Sequence, residues 1–274
     1  SVFIVPGGSA NLIDALAVAP LAGQENAPIL LSLNGALAPA VEGEIARLSA
    51  KKIYLVGAVS EEVRLRLAER FARVEIIVLR GKDRFETSAL ISAKVENPKG
   101  IFVVGYNALA DAVSAASYAA ANGYLIQIAA PDGGLTRPLP AAENVYILGG
   151  PTLVRDIPGA TRIYGADRYD TNESLRQALD FDYTNIYTAD GESLVDALTG
   201  SALAAQTRAP IVLAPGNDLR ATEVGRILAA QAASPEEAEA VQTDLAEGAR
   251  LGEGAAGWDK ITAATQVYAF GGQK

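Results

Sequence analysis

Tyr164-Gly-Ala-Asp-Arg-Tyr-Asp-Thr-Asn172 has a near-copy earlier in the chain, Arg80-Gly-Lys-Asp-Arg-Phe-Glu-Thr-Ser88. Each copy places a glycine two residues before Asp-Arg-aromatic-acidic-Thr, and a helical pattern follows each copy. The glycine permits an unusual backbone angle, and Asp83 and Asp167 stand where a side chain caps the first helical turn. Both copies therefore predict a loop that leads into a helix, here called the first and second Asp-Arg loops.

Three further elements recur at fixed places after this loop. The first is a helical pattern with an aspartate near its start: Ile13-Asp-Ala-Leu16, Ala110-Asp-Ala-Val113 and Val195-Asp-Ala-Leu198. The second is a short apolar strand: Ala27-Pro-Ile-Leu-Leu31, Tyr124-Leu-Ile-Gln-Ile128 and Ala209-Pro-Ile-Val-Leu213. The third is a strand that ends in glycine: Ile53-Tyr-Leu-Val-Gly57, Val145-Tyr-Ile-Leu-Gly-Gly150 and Val267-Tyr-Ala-Phe-Gly-Gly272. Repetition at this scale predicts tandem structural units.

Short apolar strands alternate with helical patterns, which predicts an α/β fold with small, mainly parallel sheets and flanking helices. We assign three tandem repeat units to residues 1–79, 80–161 and 162–274. The first unit is truncated at its front, because it has no Asp-Arg loop, and the third has a truncated tail. The third unit also carries a helical insertion near residues 230–262, where Ser234-Pro-Glu-Glu237 has the residues of a helix start.

The strand predicted at Val2–Val5 opens the first unit without a preceding element to cover it. A strand in that position is expected to be an exposed sheet edge, and exposed edges invite partner strands. The helical pattern that begins at Asp111 is so rich in alanine that we expect close packing with a sheet or with another unit. A flat face open to a polymer is the second interpretation of that helix.

The repeated elements together resemble the type 2 cell-wall-binding repeat of Gram-positive bacterial surface proteins. The resemblance rests on the Gly-x-Asp-Arg-Tyr/Phe-x-Thr loop, the Asp-Ala-Leu helix, the Ala-Pro-Ile strand and the Tyr-x-x-Gly-Gly strand end, in fixed order over nearly the whole chain. It implies three modules around a pseudo-threefold axis that attach an exported protein noncovalently to an anionic cell-wall polysaccharide. It also implies an extracellular location, at the cell wall or cell surface.

The composition limits the kinds of partner. The chain has 274 residues, of which 50% are hydrophobic, and its net charge is -9. This acidity argues against nucleic-acid binding, and a grip on an anionic polymer would need a local cluster of cations or a bridging metal. No apolar run approaches the roughly twenty residues that cross a bilayer, so we expect no membrane span.

The sequence has few of the residue types that commonly act in catalysis. There is no histidine and no cysteine, and we find no nucleophile elbow and no phosphate-binding loop. We therefore expect no enzymatic activity, no cofactor and no metal site. Since residue 1 is serine and methionine is absent, we also expect that a secretory signal is removed ahead of Ser1.

The Asp-Arg-aromatic triplet has a structural interpretation. Asp83 and Asp167 would cap helices, and Arg84 and Arg168 would cross to a neighbouring unit. There the arginines would pair with the recurring helix aspartates, which are Asp14, Asp111 and Asp196. Ion pairs of this kind specify geometry more than they add stability.

The functional interpretation makes the same triplet a ligand site. Arg84 and Arg168 would face the polymer, Tyr169 would offer a stacking surface, and Tyr106 would contribute from the loop after its strand. Phe85 lacks the hydroxyl of Tyr169 and is the weaker contact.

An alternative function is self-assembly into a surface layer or an extracellular filament. The predicted open edge at Val2–Val5, the incomplete repeats and the acidic composition motivate it. In that case the partners are copies of the chain itself. An enzyme is a distant third hypothesis.

Overall fold

The structure, a computed structural model, describes residues 1–7, 16–33, 35–95, 97–135, 137–234, 236–237, 239–241, 261–262 and 265–270, except for the side chains of Asn217 and Arg220. These residues form three small parallel sheets with flanking helices. The predicted α/β fold with three tandem units is confirmed.

Unit one holds a sheet of four parallel strands in the order β2-β1-β3-β4. Helices α2 and α3 cover one face, and the short helix α1 lies on the other. The elements in chain order are β1 (Val2–Pro6), α1 (Ala19–Gln24), β2 (Ile29–Ser32), α2 (Pro39–Arg47), β3 (Lys52–Val56), α3 (Glu61–Arg70) and β4 (Glu75–Leu79).

Unit two repeats this strand order, since β6-β5-β7-β8 are again parallel. Its described residues contain no helix between β6 and β7 or between β7 and β8. The elements are α4 (Arg84–Ser92), β5 (Gly100–Val104), α5 (Leu109–Asn122), β6 (Tyr124–Ile128), β7 (Asn144–Leu148) and β8 (Thr161–Ile163). Strand β8 lies across the predicted boundary between residues 161 and 162.

Unit three has the strand order β10-β9-β11, also parallel. Its elements are α6 (Arg168–Ala178), β9 (Asn185–Asp190), α7 (Val195–Gln206), β10 (Ile211–Ala214), α8 (Glu223–Ala233) and β11 (Gln266–Ala269). Ser234 Oγ accepts a hydrogen bond from the Glu237 amide at 3.1 Å, as at a helix start. Most of the predicted insertion, 242–260, lies outside the described residues.

The prediction of an exposed edge at Val2–Val5 is wrong. Strand β1 lies between β2 and β3, with Phe3 in register with Ile29 on one side and Tyr54 on the other. Its residues Val2 to Val5 are fully buried. The first strand in sequence is interior because both later strands pair with it, and this pairing is set by contacts distant in sequence.

The three units close into a ring. Helices α1, α5 and α7 pack against one another pairwise. The recurring Asp-Ala pattern lies in the first turn of α5 and of α7, whereas Asp14 precedes α1 and lies outside the described residues. Each of the three helices also contacts the second strand of the next unit: α1 packs on β6, α5 on β10 and α7 on β2. We call these contacts the first, second and third junctions. Unit one thus contacts unit two, unit two contacts unit three and unit three contacts unit one, as a pseudo-threefold axis requires.

Small side chains allow the helices to approach closely at the axis. A Cβ atom added to Gly23 of α1 would lie 2.7 Å from the carbonyl oxygen of Ala120 in α5. Residues 110–117 of α5 are buried without exception. The alanine-rich helix is therefore a contact between units, and the interpretation of it as a flat face open to a polymer is wrong.

One hydrophobic core extends through all three units and includes Phe3, Phe102 and Phe181. A second cluster lies on the outer face of the first sheet, under α2 and α3. Within the described residues, no helix is long and apolar enough to cross a membrane.

Candidate functional site

The first Asp-Arg loop is held by short-range hydrogen bonds. The Gly81 amide donates to Thr87 Oγ1 at 3.0 Å, and the Lys82 amide donates to Glu86 Oε2 at 2.7 Å. Asp83 Oδ1 accepts from the Glu86 amide at 2.9 Å, which makes Asp83 the N-cap of α4. Glu86, the third residue of the helix, thus bonds the loop through both its side chain and its amide. Such reciprocal bonds satisfy amides that a helix start otherwise leaves free.

The second Asp-Arg loop repeats this network. The Gly165 amide donates to Thr171 Oγ1 at 3.0 Å, and Asp167 Oδ1 accepts from the Asp170 amide at 3.0 Å. The glycine is needed because a Cβ at Gly165 would overlap the side chain of Asp170. The hydrogen bonds inside the loop thus involve the glycine amide and the side chains of the aspartate, the acidic residue and the threonine. The arginine and the aromatic residue are left to contact other elements.

In the first loop these two side chains meet Tyr106, which follows β5. The Arg84 guanidinium carbon lies 4.3 Å from the centre of the Tyr106 ring, a cation–π contact. The Phe85 and Tyr106 ring centres are 5.5 Å apart. All three side chains are half-buried, so the cluster is both anchored and accessible.

In the second loop the corresponding side chains meet Gly191 and Glu192, which follow β9. Arg168 Nη1 donates to the Gly191 carbonyl at 2.7 Å and lies 3.4 Å from Glu192 Oε2 at the nearest. The Tyr169 hydroxyl donates to Glu192 Oε1 at 3.4 Å. Both clusters lie at the carboxyl end of the first strand of their sheet, the edge at which open α/β sheets bind ligands.

Asp111 lies in the first turn of α5 and is 6% exposed. Burial raises the pKa of its carboxyl from 3.8 to about 6, while the charge of Arg168 acts in the opposite direction. Arg168 forms its ion pair with Glu192, so it reaches Asp111 only through its electrostatic field. A Cβ on Gly149 would lie 2.9 Å from Asp111 Oδ2, which explains the glycine at the strand end.

The other predicted aspartates have different surroundings. Asp83 and Asp167 bond within their own loops, so the contacts described for them lie inside one unit. Asp196 is exposed and forms no ion pair with any described residue. Asp14 lies outside the described residues.

The sequence analysis missed Asn172, a fully buried residue that joins units two and three. Its Nδ2 donates to Ser114 Oγ and to the Ile211 carbonyl, both at 2.9 Å. Its Oδ1 accepts from the Leu213 amide and from Arg176 Nε, both at 3.1 Å. The available signal was a polar residue directly after the loop threonine, on the helix face that packs inward.

The sequence analysis also missed a buried ion pair between Arg176 of α6 and Glu223 of α8. Both side chains are buried, so the pair fixes the position of one helix against the other. A charged residue on the buried side of a helical pattern is the signal that predicts such a pair.

A third feature is the charge of the first Asp-Arg loop. Arg80 and Lys82 are exposed beside Arg84, whereas the nearby acids Asp83 and Glu86 accept bonds from backbone amides. We call Arg80, Lys82, Arg84 and Tyr106 the basic loop surface. The second loop has only Arg168 in the corresponding places.

The whole repeat pattern matches a known family. The family described as Cell wall binding domain 2 matches residues 3–64, 78–156 and 162–274. The chain belongs to this family. Membership identifies a cell wall polymer as the class of partner and the cell wall or cell surface as the location.

Two curated relatives come from Bacillus subtilis (strain 168). The N-acetylmuramoyl-L-alanine amidase LytC is 28% identical over 232 residues, which cover 80% of this chain and 46% of LytC. The protein named Amidase enhancer is 29% identical over 211 residues, covering 73% of this chain and 29% of that protein. The chain thus spans less than half the length of either relative.

Two solved structures from Clostridium difficile share the fold. Cwp8 superposes with a TM-score of 0.72 at 29% identity, covering 99% of this chain and 44% of Cwp8. Cwp6 superposes with a TM-score of 0.74 at 23% identity, covering 99% of this chain and 41% of Cwp6. The likeness to Cwp6 concerns the fold alone.

Proposed function

We propose that this chain is a noncatalytic module that holds an exported protein noncovalently on an anionic cell-wall polysaccharide. The observation that carries the proposal is the basic loop surface. Arg80 and Lys82 are exposed, and Arg84 lies over the half-buried ring of Tyr106, which also carries a hydroxyl. The two acids of the loop, Asp83 and Glu86, accept hydrogen bonds from backbone amides. Anionic groups and sugar rings alternate in such polymers, and this surface offers a contact to each.

The net charge of -9 makes the position of the cations important. The net charge as a whole repels a polyanion, so attraction needs places where cations outnumber acids. Exposed charges are screened over about 10 Å at 0.1 M salt. Binding through the basic loop surface is therefore expected to weaken as salt increases.

The two Asp-Arg loops are expected to contribute unequally. Arg168 is already paired with Glu192 and bonded to the Gly191 carbonyl, which lowers its capacity to attract an anion. Arg84 lies over a neutral ring and has Arg80 and Lys82 nearby. We therefore rank Arg84 first and Arg168 second, with Tyr106 and Tyr169 as the aromatic contacts.

The test is a pelleting assay with isolated Gram-positive cell walls, before and after removal of their anionic polymer. Arg84→Ala is expected to lower affinity for untreated walls about tenfold, the size of one lost charge-assisted contact. Arg84→Ala with Arg168→Ala is expected to lower it further. Arg47→Ala with Arg66→Ala is the matched control, because both arginines are exposed and pair with glutamates away from the loop, and the charge change is the same.

Two outcomes contradict the proposal. One is a folded double variant that binds walls as well as the control does. The other is equal binding to stripped and untreated walls, which would remove the anionic polymer as the ligand. Protein that pellets without walls would instead support the self-assembling surface layer or filament.

The noncatalytic part of the proposal has its own test. The chain has neither histidine nor cysteine, and it covers 46% of the LytC amidase. We expect the purified chain to release no soluble fragments or new amino groups from cell walls. Release that scales with the amount of protein would contradict this part and leave the wall-binding part untouched.

A further inference from the structure

The edges of the three sheets differ in how they are protected. At one edge of each sheet, the strands β2, β6 and β10 pack against a helix of another unit at the three junctions. At the opposite edge lie β4, β8 and β11. Strand β8 is three residues long, and its Arg162 donates to the Gly149 and Val154 carbonyls and to Asp156. A strand this short that carries a charge is a poor template for another strand.

Strand β4 is longer and more apolar than β8. Its sequence is Glu75-Ile-Ile-Val-Leu79, so it has no proline, and its first residue alone is charged. Val78 is 50% exposed, and Ile76 and Ile77 are half-buried. Within the described residues, β4 pairs with β3 alone. A five-residue apolar edge of this kind is a ready template for an added strand.

The pairing with β3 fixes which backbone groups of β4 point outward. The Glu75 amide and the Leu79 carbonyl each bond to a residue that flanks β3, both at 3.0 Å. Alternate residues of a strand turn their backbone groups to the same side, so Glu75, Ile77 and Leu79 bond toward β3. Ile76 and Val78 therefore direct their amide and carbonyl groups away from the sheet.

We propose that β4 pairs antiparallel with β4 of a second copy of this chain, about a twofold axis at Ile77. An antiparallel pair needs residues whose backbone groups face each other. Ile76 opposite Val78 of the second copy meets this need, and the twofold axis repeats the same pair on the other side of Ile77. The strand is thus complementary to itself, and its outward amides and carbonyls all gain partners.

The charges at the two ends of β4 favour this occupant. Glu75 begins the strand and Arg80 follows it, and both are exposed. Antiparallel pairing brings the acidic end of one strand to the basic end of the other, whereas a parallel arrangement would bring like charges together. The contact uses the same surface of both copies, so it closes as a dimer. The inference does not depend on the wall-binding proposal.

Cross-linking tests the register, and the chain contains no cysteine of its own. Ile77→Cys is expected to give a disulfide-linked dimer under mild oxidation, because the two copies of this position face each other at a distance that a disulfide spans. Ile76→Cys and Val78→Cys are each expected to stay unlinked alone and to link to each other when the two variants are mixed. No linked dimer from Ile77→Cys, or equal linking by all three variants alone, would overturn the proposal.

Sedimentation equilibrium of the whole chain tests the dimer itself. We expect a concentration-dependent dimer, and Val78→Lys is expected to raise its dissociation constant about tenfold or more, because each copy loses an apolar cross-strand contact. Leu203→Lys is the matched control, since Leu203 is 49% exposed and lies on α7, which packs at the opposite edge of the sheet. This control is expected to leave the dissociation constant unchanged.

Three results of the sedimentation experiment would overturn the proposal. One is a chain that stays monomeric at every concentration at which it remains in solution. Another is a dimer that Val78→Lys weakens no more than Leu203→Lys does, since another surface would then hold the copies together. The third is an assembly that grows beyond two copies through β4, because the twofold pairing leaves no free edge on that strand.

Discussion

Asp111 and Asp196 show how one residue type at one repeat position takes two physical states. Both stand near the start of helices with the same Asp-Ala pattern, yet Asp111 is buried under α6 and Asp196 is exposed. Burial without a direct ion pair disfavours the charged carboxylate, and this raises the pKa of Asp111 to about 6. A buried carboxyl group with a strongly raised pKa often belongs to a functional site.

Asp111→Asn is expected to stabilise the protein at pH 7. The folded-state pKa is raised from 3.8 to about 6, so ionisation above pH 6 costs the folded state about 3 kcal/mol relative to the unfolded state. The cost falls as the pH drops from about 6 to 3.8, because the folded-state carboxyl takes up its proton first, and most of the cost has gone at pH 4. Urea unfolding at pH 7 and pH 4 would measure this, with the variant more stable than the wild type only at pH 7.

Asp196→Asn is the matched control for this experiment. Its carboxylate is exposed, so the substitution is expected to change stability little at either pH. Equal effects of the two substitutions, or a stabilisation by Asp111→Asn that persists at pH 4, would contradict the assignment of the cost to a buried charge.

At the scale of single elements, the two Asp-Arg loops are nearly self-sufficient. In both, hydrogen bonds join residues within seven positions of one another, from the glycine to the threonine. These hydrogen bonds need no residue from a distant part of the sequence. The arginine and the aromatic residue are outside this network and take their contacts from whatever element lies opposite.

Removing the cap is expected to weaken the helix that follows. Asp83→Ala and Asp167→Ala each take away the acceptor of amides at the helix start, and each is expected to cost about 1 kcal/mol of unfolding free energy. Asp83→Asn and Asp167→Asn are the controls, since asparagine caps almost as well. Urea unfolding of the four variants measures the difference, and alanine and asparagine variants of equal stability would contradict the capping role.

At the scale of the whole molecule, the ring is joined by packing and by a few buried polar contacts. The main core contains residues of all three units, and Asn172 bonds unit two and unit three at once. Interfaces of this kind make neighbouring units unfold together, because each unit covers apolar surface of the next.

Asn172→Ala is expected to destabilise the entire ring. It leaves the Leu213 amide, the Ile211 carbonyl and Arg176 Nε without this partner inside the core, a loss of about 3 kcal/mol in total. Calorimetry should show one transition at a lower temperature, and hydrogen exchange should rise in β1 as well as in β10. Two separated transitions, or exchange that rises in unit three alone, would contradict a cooperative ring.

The sequence was sufficient for the repeat, the parallel α/β class and the caps of α4 and α6. These follow from local patterns: apolar spacing sets strand or helix, and a cap forms between residues only three positions apart. The resemblance to a cell-wall-binding family rested on the same local motifs.

The tertiary structure alone decided which surfaces those elements present. It placed β1 inside its sheet, buried Asp111 but not Asp196, and gave Arg168 the partner Glu192 instead of an aspartate of unit two. The reason is that similar repeats acquire different neighbours once they close into a ring. Strand order, burial and the partner of a long side chain are set by that closure, which acts between residues far apart in the sequence.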